Sequence, residues 1–145
     1  MKEKIKKEII SFVRTLLICT LVTMALNISI NGMYLIGIPQ IENVEKVIIS
    51  YPKVSTETKE IVDEEHIELA VELTGFLKYS LFEKADSSES PLITITYFTT
   101  DGKSMEVAAN RETVWWKGKA HAIKEENMFI NLTEGIFYLD ELASE

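Results

Sequence analysis

The clearest structural pattern of the chain lies in residues 92–123, LITITYFTTDGKSMEVAANRETVWWKGKAHAI. Apolar and polar side chains alternate along residues 92–99, and most of these residues are β-branched or aromatic. This pattern is typical of a strand with one buried face. Asp101-Gly102 follows and predicts a type I′ hairpin turn, since both residues tolerate positive φ. We therefore predict an antiparallel meander of four strands, at 92–99, 103–109, 113–116 and 120–123, with a turn at 110–112.

The segments that flank the meander supply further elements. Residues 41–51 predict a strand that stops before Pro52 and is able to pair with either end of the meander, and 56–62 predict a short second strand. The tail at 127–142 is apolar enough to dock on the core. For this tail we predict a last strand near Phe129, followed by a short helix or turn.

One long helix is predicted over 64–82. Asp63 is a good N-cap, and the two glutamates that follow it suit the positive end of the helix dipole. Apolar residues recur at a helical period and predict a largely buried helix. The main stripe contains Ile67, Ala70, Val71, Thr74, Leu77 and Leu81, and Leu69, Leu73 and Phe76 widen it.

The N-terminal region separates two blocks of opposite charge. The 145-residue chain carries a formal charge of −8, but residues 1–14 are net +3 and the remainder is net −11. Residues 15–41 contain no charged side chain, and these 27 residues span about 40 Å if helical. A bilayer core needs about 20 apolar residues. The segment thus predicts an uncleaved signal-anchor helix with its basic end in the cytoplasm, which Pro39 would terminate.

Three other interpretations of this segment remain open. A cleaved signal peptide lacks a clear small-x-small site after the apolar core. A lipoprotein with acylated Cys19 lacks the small residue expected before the cysteine. The third is a helix that packs on the domain itself. With the anchor, the chain is predicted as α+β: a transmembrane helix in 1–39, then a small antiparallel sheet packed on one main helix in an extracytoplasmic domain, 40–145.

Composition excludes several classes of function. The acidic total argues against a nucleic-acid partner, because phosphate binding needs a basic surface. One cysteine rules out an intrachain disulfide or a cysteine-based zinc cluster. His66 and His121 have no partners at ligand spacing, so no metal is predicted, and no glycine-rich phosphate loop or other cofactor motif is present.

The most distinctive surface candidate is the run 113–121. Neighbouring residues on a strand point to opposite faces, so one of Trp115 and Trp116 should be buried and the other should lie outside. An outer tryptophan beside lysines would suit a peptide, a glycan or an anionic group. It would equally suit packing under the N-terminal segment, under the tail or at the membrane interface. The candidate binding surface is Trp115, Trp116, Lys117, Lys119 and His121; no catalytic residue is predicted.

The region 44–138 resembles small, functionally uncharacterised membrane-anchored or exported domains of Gram-positive bacteria. The resemblance rests on structural turns and aromatic residues at 93–97, 101–103, 109–110, 116–119 and 131–135, and on the helix start at Asp63. It implies an extracytoplasmic location and brings no catalytic residue with it.

The predicted function follows from these features. We expect a single-pass protein of the cell membrane, held through residues 15–38, with a noncatalytic extracytoplasmic domain that binds a protein partner or senses a ligand. The alternatives are a small extracytoplasmic enzyme that uses acidic residues, and an acidic inhibitor or immunity-type protein that neutralises a basic partner. A cleft with paired carboxylates would favour the enzyme, whereas a flat sheet face or an open edge would favour interaction.

Overall fold

The computed structural model describes residues 2–52, 58–125 and 127–137. It opens with helix α1 (Lys2–Asn31). This helix ends well before Pro39, the residue that was predicted to terminate it. The stop is Gly32, which adopts a φ of +78° and donates its N–H to the Ile28 carbonyl at 2.9 Å. Glycine takes this left-handed conformation without steric cost, and it is the common way to close a helix.

In the part of the chain that the structure describes, eight strands form one antiparallel sheet with the order β1-β4-β8-β7-β6-β5-β2-β3. A 3₁₀ turn (Ile41–Asn43) precedes the second strand, and two helices, α2 (Glu64–Phe76) and α3 (Met128–Phe137), complete the fold. The strands are β1 (Met33–Tyr34), β2 (Val44–Ser50), β3 (Thr58–Ile61), β4 (Lys78–Ser80), β5 (Ile93–Thr99), β6 (Ser104–Ala109), β7 (Thr113–Trp116) and β8 (Lys119–Ile123). The fold is α+β with a long apolar N-terminal helix, as the sequence predicted.

The meander is confirmed, because β5, β6, β7 and β8 pair in succession. Strand β2 joins it at the β5 edge, which resolves the choice that the sequence left open. The predicted type I′ turn at Asp101-Gly102 was wrong, because Gly102 has a positive φ and Asp101 does not. The type I′ pattern of two positive φ angles occurs instead at Lys117 and Gly118, between β7 and β8.

The core lies between α2 and one face of the sheet, which we call the inner face. Alternate residues of β2 and β5 are fully buried there: Val47, Ile49, Ile93, Ile95 and Tyr97. The Tyr97 hydroxyl donates to the Ala70 carbonyl of α2 at 2.8 Å and lies 2.5 Å from the Thr74 hydroxyl. Burial raises the pKa of Tyr97, so this phenol stays protonated and joins the helix to the sheet.

Helix α2 is shorter than predicted. Asp63 caps it as expected and accepts a hydrogen bond from the His66 N–H at 2.9 Å. The helix then ends at Phe76 rather than at 82, because Leu77 leaves helical geometry and the next three residues form β4. Pairing with β8 and β1 satisfies backbone groups that the helix would otherwise have used. Leu81 therefore lies outside the helix and is exposed, and Leu69 and Phe76, which were predicted to widen the buried stripe, are exposed on α2.

The C-terminal tail differs from its prediction in type but not in location. Residue 129 lies in α3, not in a strand, and the docking on the core is confirmed by buried Phe129, Ile130, Thr133 and Ile136. Lys59 of β3 donates to the Ile136 carbonyl at 2.9 Å and so joins α3 to the sheet edge. The end of the predicted tail, 138–142, and the start of the second predicted strand, 56–57, lie outside the described residues.

Candidate functional site

The five sequence-predicted surface residues lie on and between β7 and β8, but they do not form one surface. Strand alternation sends Trp116 to the inner face and Trp115 to the opposite face, which we call the outer face. Register then decides the rest: Trp116 lies opposite Lys119, and Val114 lies opposite His121. Lys119 and His121 therefore belong to the inner side of the sheet, away from Trp115.

Trp116 and Lys117 together hold the segment that follows α1 and β1. The Trp116 indole Nε1 donates to the Ile36 carbonyl at 3.2 Å, and the Lys117 ammonium donates to the same oxygen at 3.1 Å. Lys117 Nζ also lies 5.1 Å from the centroid of the Trp116 ring. Trp116 is only 6% exposed, so it is the buried member of the pair and packs against the segment after α1.

The same segment was predicted to belong to the transmembrane part of the chain, but it enters the folded domain. Residues 33–34 form β1, Leu35 and Pro39 are buried, and Ile38 packs against the core. Only part of the 15–38 range that we assigned to the membrane is thus helical, namely 15–31. The carbonyl of Ile36 is fixed to β7 only a few residues after the helix ends.

His121 packs against an aromatic neighbour rather than standing in solvent. Its ring lies 4.4 Å from the Tyr79 ring, at an interplanar angle of 48°. Burial lowers the pKa of His121, and the charge of Lys119 lowers it further. The imidazole is therefore biased toward its neutral form, which suits packing better than anion binding.

Trp115 is the one member of the set that faces the outer side, where it lies half-buried between small residues. Its cross-strand partners are Ala108 on β6 and Ala120 on β8. The row continues through Thr94 to Ser50, so the indole is the largest side chain in it. A large aromatic ring among small neighbours gives this row one partly exposed apolar contact point.

Sequence reasoning missed two other apolar residues of the outer face, Ile48 and Phe98, which are also half-buried. Ile48 lies beside Thr96, and Phe98 lies beside Lys46, whose ammonium is 5.1 Å from the ring centroid. Lys46 also contacts the Glu60 carboxylate at 3.3 Å. The alternation of side chains along β2 and β5 could have predicted that each residue lies on an outer face. It could not predict that the two residues lie close together, because that depends on the register between β2 and β5.

Neither α2 nor α3 covers this outer face. Both helices make their sheet contacts from the inner side, through Tyr97 and Lys59. The loop after β4 covers one corner, where the Thr113 hydroxyl donates to the Asp86 carbonyl at 2.6 Å. The remaining outer face, centred on Thr96 and bounded by Ile48, Phe98 and Trp115, keeps partly exposed side chains in the part of the chain that the structure describes.

Acidic side chains come together at one cleft of the domain. A cleft of about 210 Å³ is lined by Asp86, Glu89, Asn110, Arg111 and Glu112. Hydrogen bonds from Ser88 lower the pKa of Asp86, which is the opposite of the shift expected for a general acid. Asn110 is committed to its turn and accepts from the N–H groups of Glu112 and Thr113. Among the described residues, no group of three His, Cys, Asp or Glu could hold a metal ion.

Helix α1 is long and apolar enough to span a membrane. Within residues 3–31 an 18-residue window has a mean hydropathy of 2.2, and none of that window is buried against the rest of the chain. Large apolar side chains are exposed around it, among them Ile9, Phe12, Leu17 and Val22. Its threonine hydroxyls donate to carbonyls one turn back, at 2.8–3.0 Å, which satisfies them without water.

Comparisons with known proteins give little beyond this geometry. No protein-family model matches the chain, and no curated protein matches it. An NMR structure of a protein from Ruminococcus gnavus is similar to it, with 20% sequence identity and a TM-score of 0.42. That similarity covers 62% of this chain and 91% of the Ruminococcus gnavus chain.

Proposed function

We propose that the chain is a single-pass membrane protein whose C-terminal domain is a noncatalytic binding module on the extracytoplasmic side. The domain contacts a protein partner through the outer face of its sheet. The observation that carries the proposal is the outer face, on which Ile48, Phe98 and Trp115 stay partly exposed among the described residues while both packing helices lie on the other side.

The chemistry of this face suits a protein surface. Its central row carries threonine and serine hydroxyls beside one indole, and its charges are mixed, with Lys46 near Glu60 and with Glu106 beside Thr96. Interfaces combine apolar and aromatic anchors with a polar rim that forms hydrogen bonds. The anchoring part of the proposal is supported by the fully exposed apolar surface of α1, which water would solvate poorly.

Site-specific photo-crosslinking tests the binding face. A benzophenone amino acid replaces Thr96, at the centre of the outer face, and in a matched protein it replaces Leu69, which is exposed on α2. In native membranes we expect a discrete crosslinked protein from position 96 and none from position 69. Crosslinks from α2 alone, or from neither position, would contradict the outer face as the binding surface.

Truncating one aromatic side chain sharpens this test. Trp115→Ala should reduce the yield of the crosslink from position 96, because it removes the largest apolar side chain of the row. Phe76→Ala is the matched control, since Phe76 is 61% exposed at the end of α2. We expect Phe76→Ala to leave the yield unchanged. The enzyme and inhibitor alternatives stay predictions from sequence.

A further inference from the structure

We propose that the turn at residues 80–83 rests in the boundary between lipid headgroups and acyl chains, in the bilayer that holds α1. Leu81 and Phe82 at its tip enter that boundary, and Tyr34 lies opposite Lys78, at the end of β4 farther from the tip. This inference rests on the proposed membrane anchor. It adds a second, reversible contact between the domain and the membrane, close to the end of the helix.

The turn lies against the end of α1. Only Gly32 separates α1 from β1, and β1 pairs with β4 through Met33 opposite Tyr79. A Cβ placed on Gly32 would lie 2.9 Å from the Tyr79 carbonyl oxygen and 3.2 Å from the Lys124 Cβ. The helix end is therefore in contact with the last residues of β4, and the chain reaches Leu81 two residues later.

One hydrogen bond and one ion pair hold the turn in that place. The Glu83 N–H donates to the Ser80 hydroxyl at 3.3 Å, which closes the turn. The Glu83 carboxylate lies 3.6 Å from the Lys124 ammonium, and the Lys124 stem flanks Gly32. Both sides of the turn are thus tied to the region where α1 ends.

The tip of this turn is apolar and open. Phe82 is 75% exposed and Leu81 is 47% exposed, although both follow directly after a buried strand residue, Ser80. Tyr34 is 50% exposed, and its ring lies 5.1 Å from the Lys78 ammonium. Adjacent exposed apolar side chains in a folded domain indicate a contact surface. A tyrosine beside a lysine is typical of the membrane interface, where ring and stem lie in the apolar part and polar tips reach water.

Helix length places this tip at the level of the interface. The uncharged helical segment, residues 15–31, measures about 26 Å, against a hydrocarbon core of about 30 Å. A span this short has no extra turn to lift the domain off the membrane, and Arg14 would have to snorkel toward the cytoplasmic side. Asn27, Ser29 and Asn31 add polar groups at the other end, where headgroups begin.

Fluorescence in reconstituted vesicles tests the inference. The environment-sensitive dye NBD is attached through a cysteine introduced in a Cys19→Ser background, which removes the native thiol. Phe82→Cys reports on the turn, Met24→Cys on the helix, and Glu60→Cys on β3 at the opposite edge of the sheet. The full chain is reconstituted in phosphatidylcholine vesicles that contain lipids spin-labelled either near the headgroup or deep in the acyl chain.

We expect NBD at position 82 to emit at shorter wavelength than at position 60 and to be quenched most by the shallow spin label. NBD at position 24 should be quenched most by the deep label. If position 24 is quenched while position 82 behaves like position 60, the turn does not enter the membrane, and the anchor stands. If position 24 is not quenched by the deep label, the anchor fails, and the inference fails with it.

A second variant separates membrane contact from folding. Leu81→Ser with Phe82→Ser should leave the melting temperature of the domain unchanged, because both side chains are exposed. For the readout, Lys84→Cys is introduced in the Cys19→Ser background. The double serine change should increase the rate at which the thiol at position 84 reacts with a water-soluble maleimide in vesicles. An unchanged rate would contradict the proposed contact.

Discussion

The two adjacent tryptophans differ in environment because strand alternation and one hydrogen bond act together. Trp116 is buried with its indole N–H on the Ile36 carbonyl, and Trp115 is half-buried on the outer face. The sequence alone predicted one inside and one outside, since neighbours on a strand diverge. It did not predict which, because that depends on the contact with Ile36, 80 residues away in the chain.

Single-tryptophan variants test this assignment. Trp115→Phe leaves Trp116, which should emit at short wavelength and resist quenching by acrylamide. Trp116→Phe leaves Trp115, which should be quenched more strongly and emit at longer wavelength. The second variant should also lose about 1 kcal/mol of stability, because the Ile36 carbonyl loses a donor. Equal quenching of two variants that both retain a native circular dichroism spectrum would contradict the assignment.

Among the elements, turns and helix ends departed furthest from their sequence patterns. Asp101-Gly102 carries the stronger type I′ signal, yet the Thr99 hydroxyl and the Lys103 N–H both bind the Asp101 carboxylate and favour another turn. These contacts, with the Lys103 ammonium foremost, lower the pKa of Asp101 to about 2. Lys117-Gly118 takes the type I′ form because Trp116 pairs directly with Lys119, which leaves two residues for the turn. A cross-strand register of this kind is not visible in a local pattern.

Two glycine substitutions should have opposite effects on stability. Gly118 has a φ of +74°, so Gly118→Ala forces a left-handed alanine and should cost about 1–2 kcal/mol. Gly75 lies in α2 without positive φ and with nothing within 4 Å of an added Cβ, so Gly75→Ala should stabilise by about 0.5–1 kcal/mol. Thermal unfolding of the full chain in detergent, followed by near-ultraviolet circular dichroism, measures both. The same sign for both substitutions would contradict these backbone assignments.

For the whole molecule, sequence reasoning reached the α+β class, the meander and the main helix, because each depends on local periodicity. It missed β1 and β4, which contain two and three residues and exist only because they pair with β8 and with each other. Strands this short carry no periodic signal. Because β1 and β4 were not predicted, the close contact between α1 and the sheet was not predicted either. The exposed turn at Leu81 and Phe82 was missed for the same reason.

The charge blocks on either side of the uncharged segment, residues 15–41, predict how the molecule is oriented. Residues 1–14 are net +3, and positive flanks remain in the cytoplasm, so the sheet domain should lie outside. In a Cys19→Ser background, Thr100→Cys places a thiol on the exposed turn between β5 and β6, and Lys4→Cys places one before the span. A membrane-impermeant maleimide should label position 100 in intact cells and position 4 only after permeabilisation. The reverse pattern would contradict the orientation, and labelling of both positions in intact cells would contradict the span, since a crossing helix separates the two thiols by the bilayer.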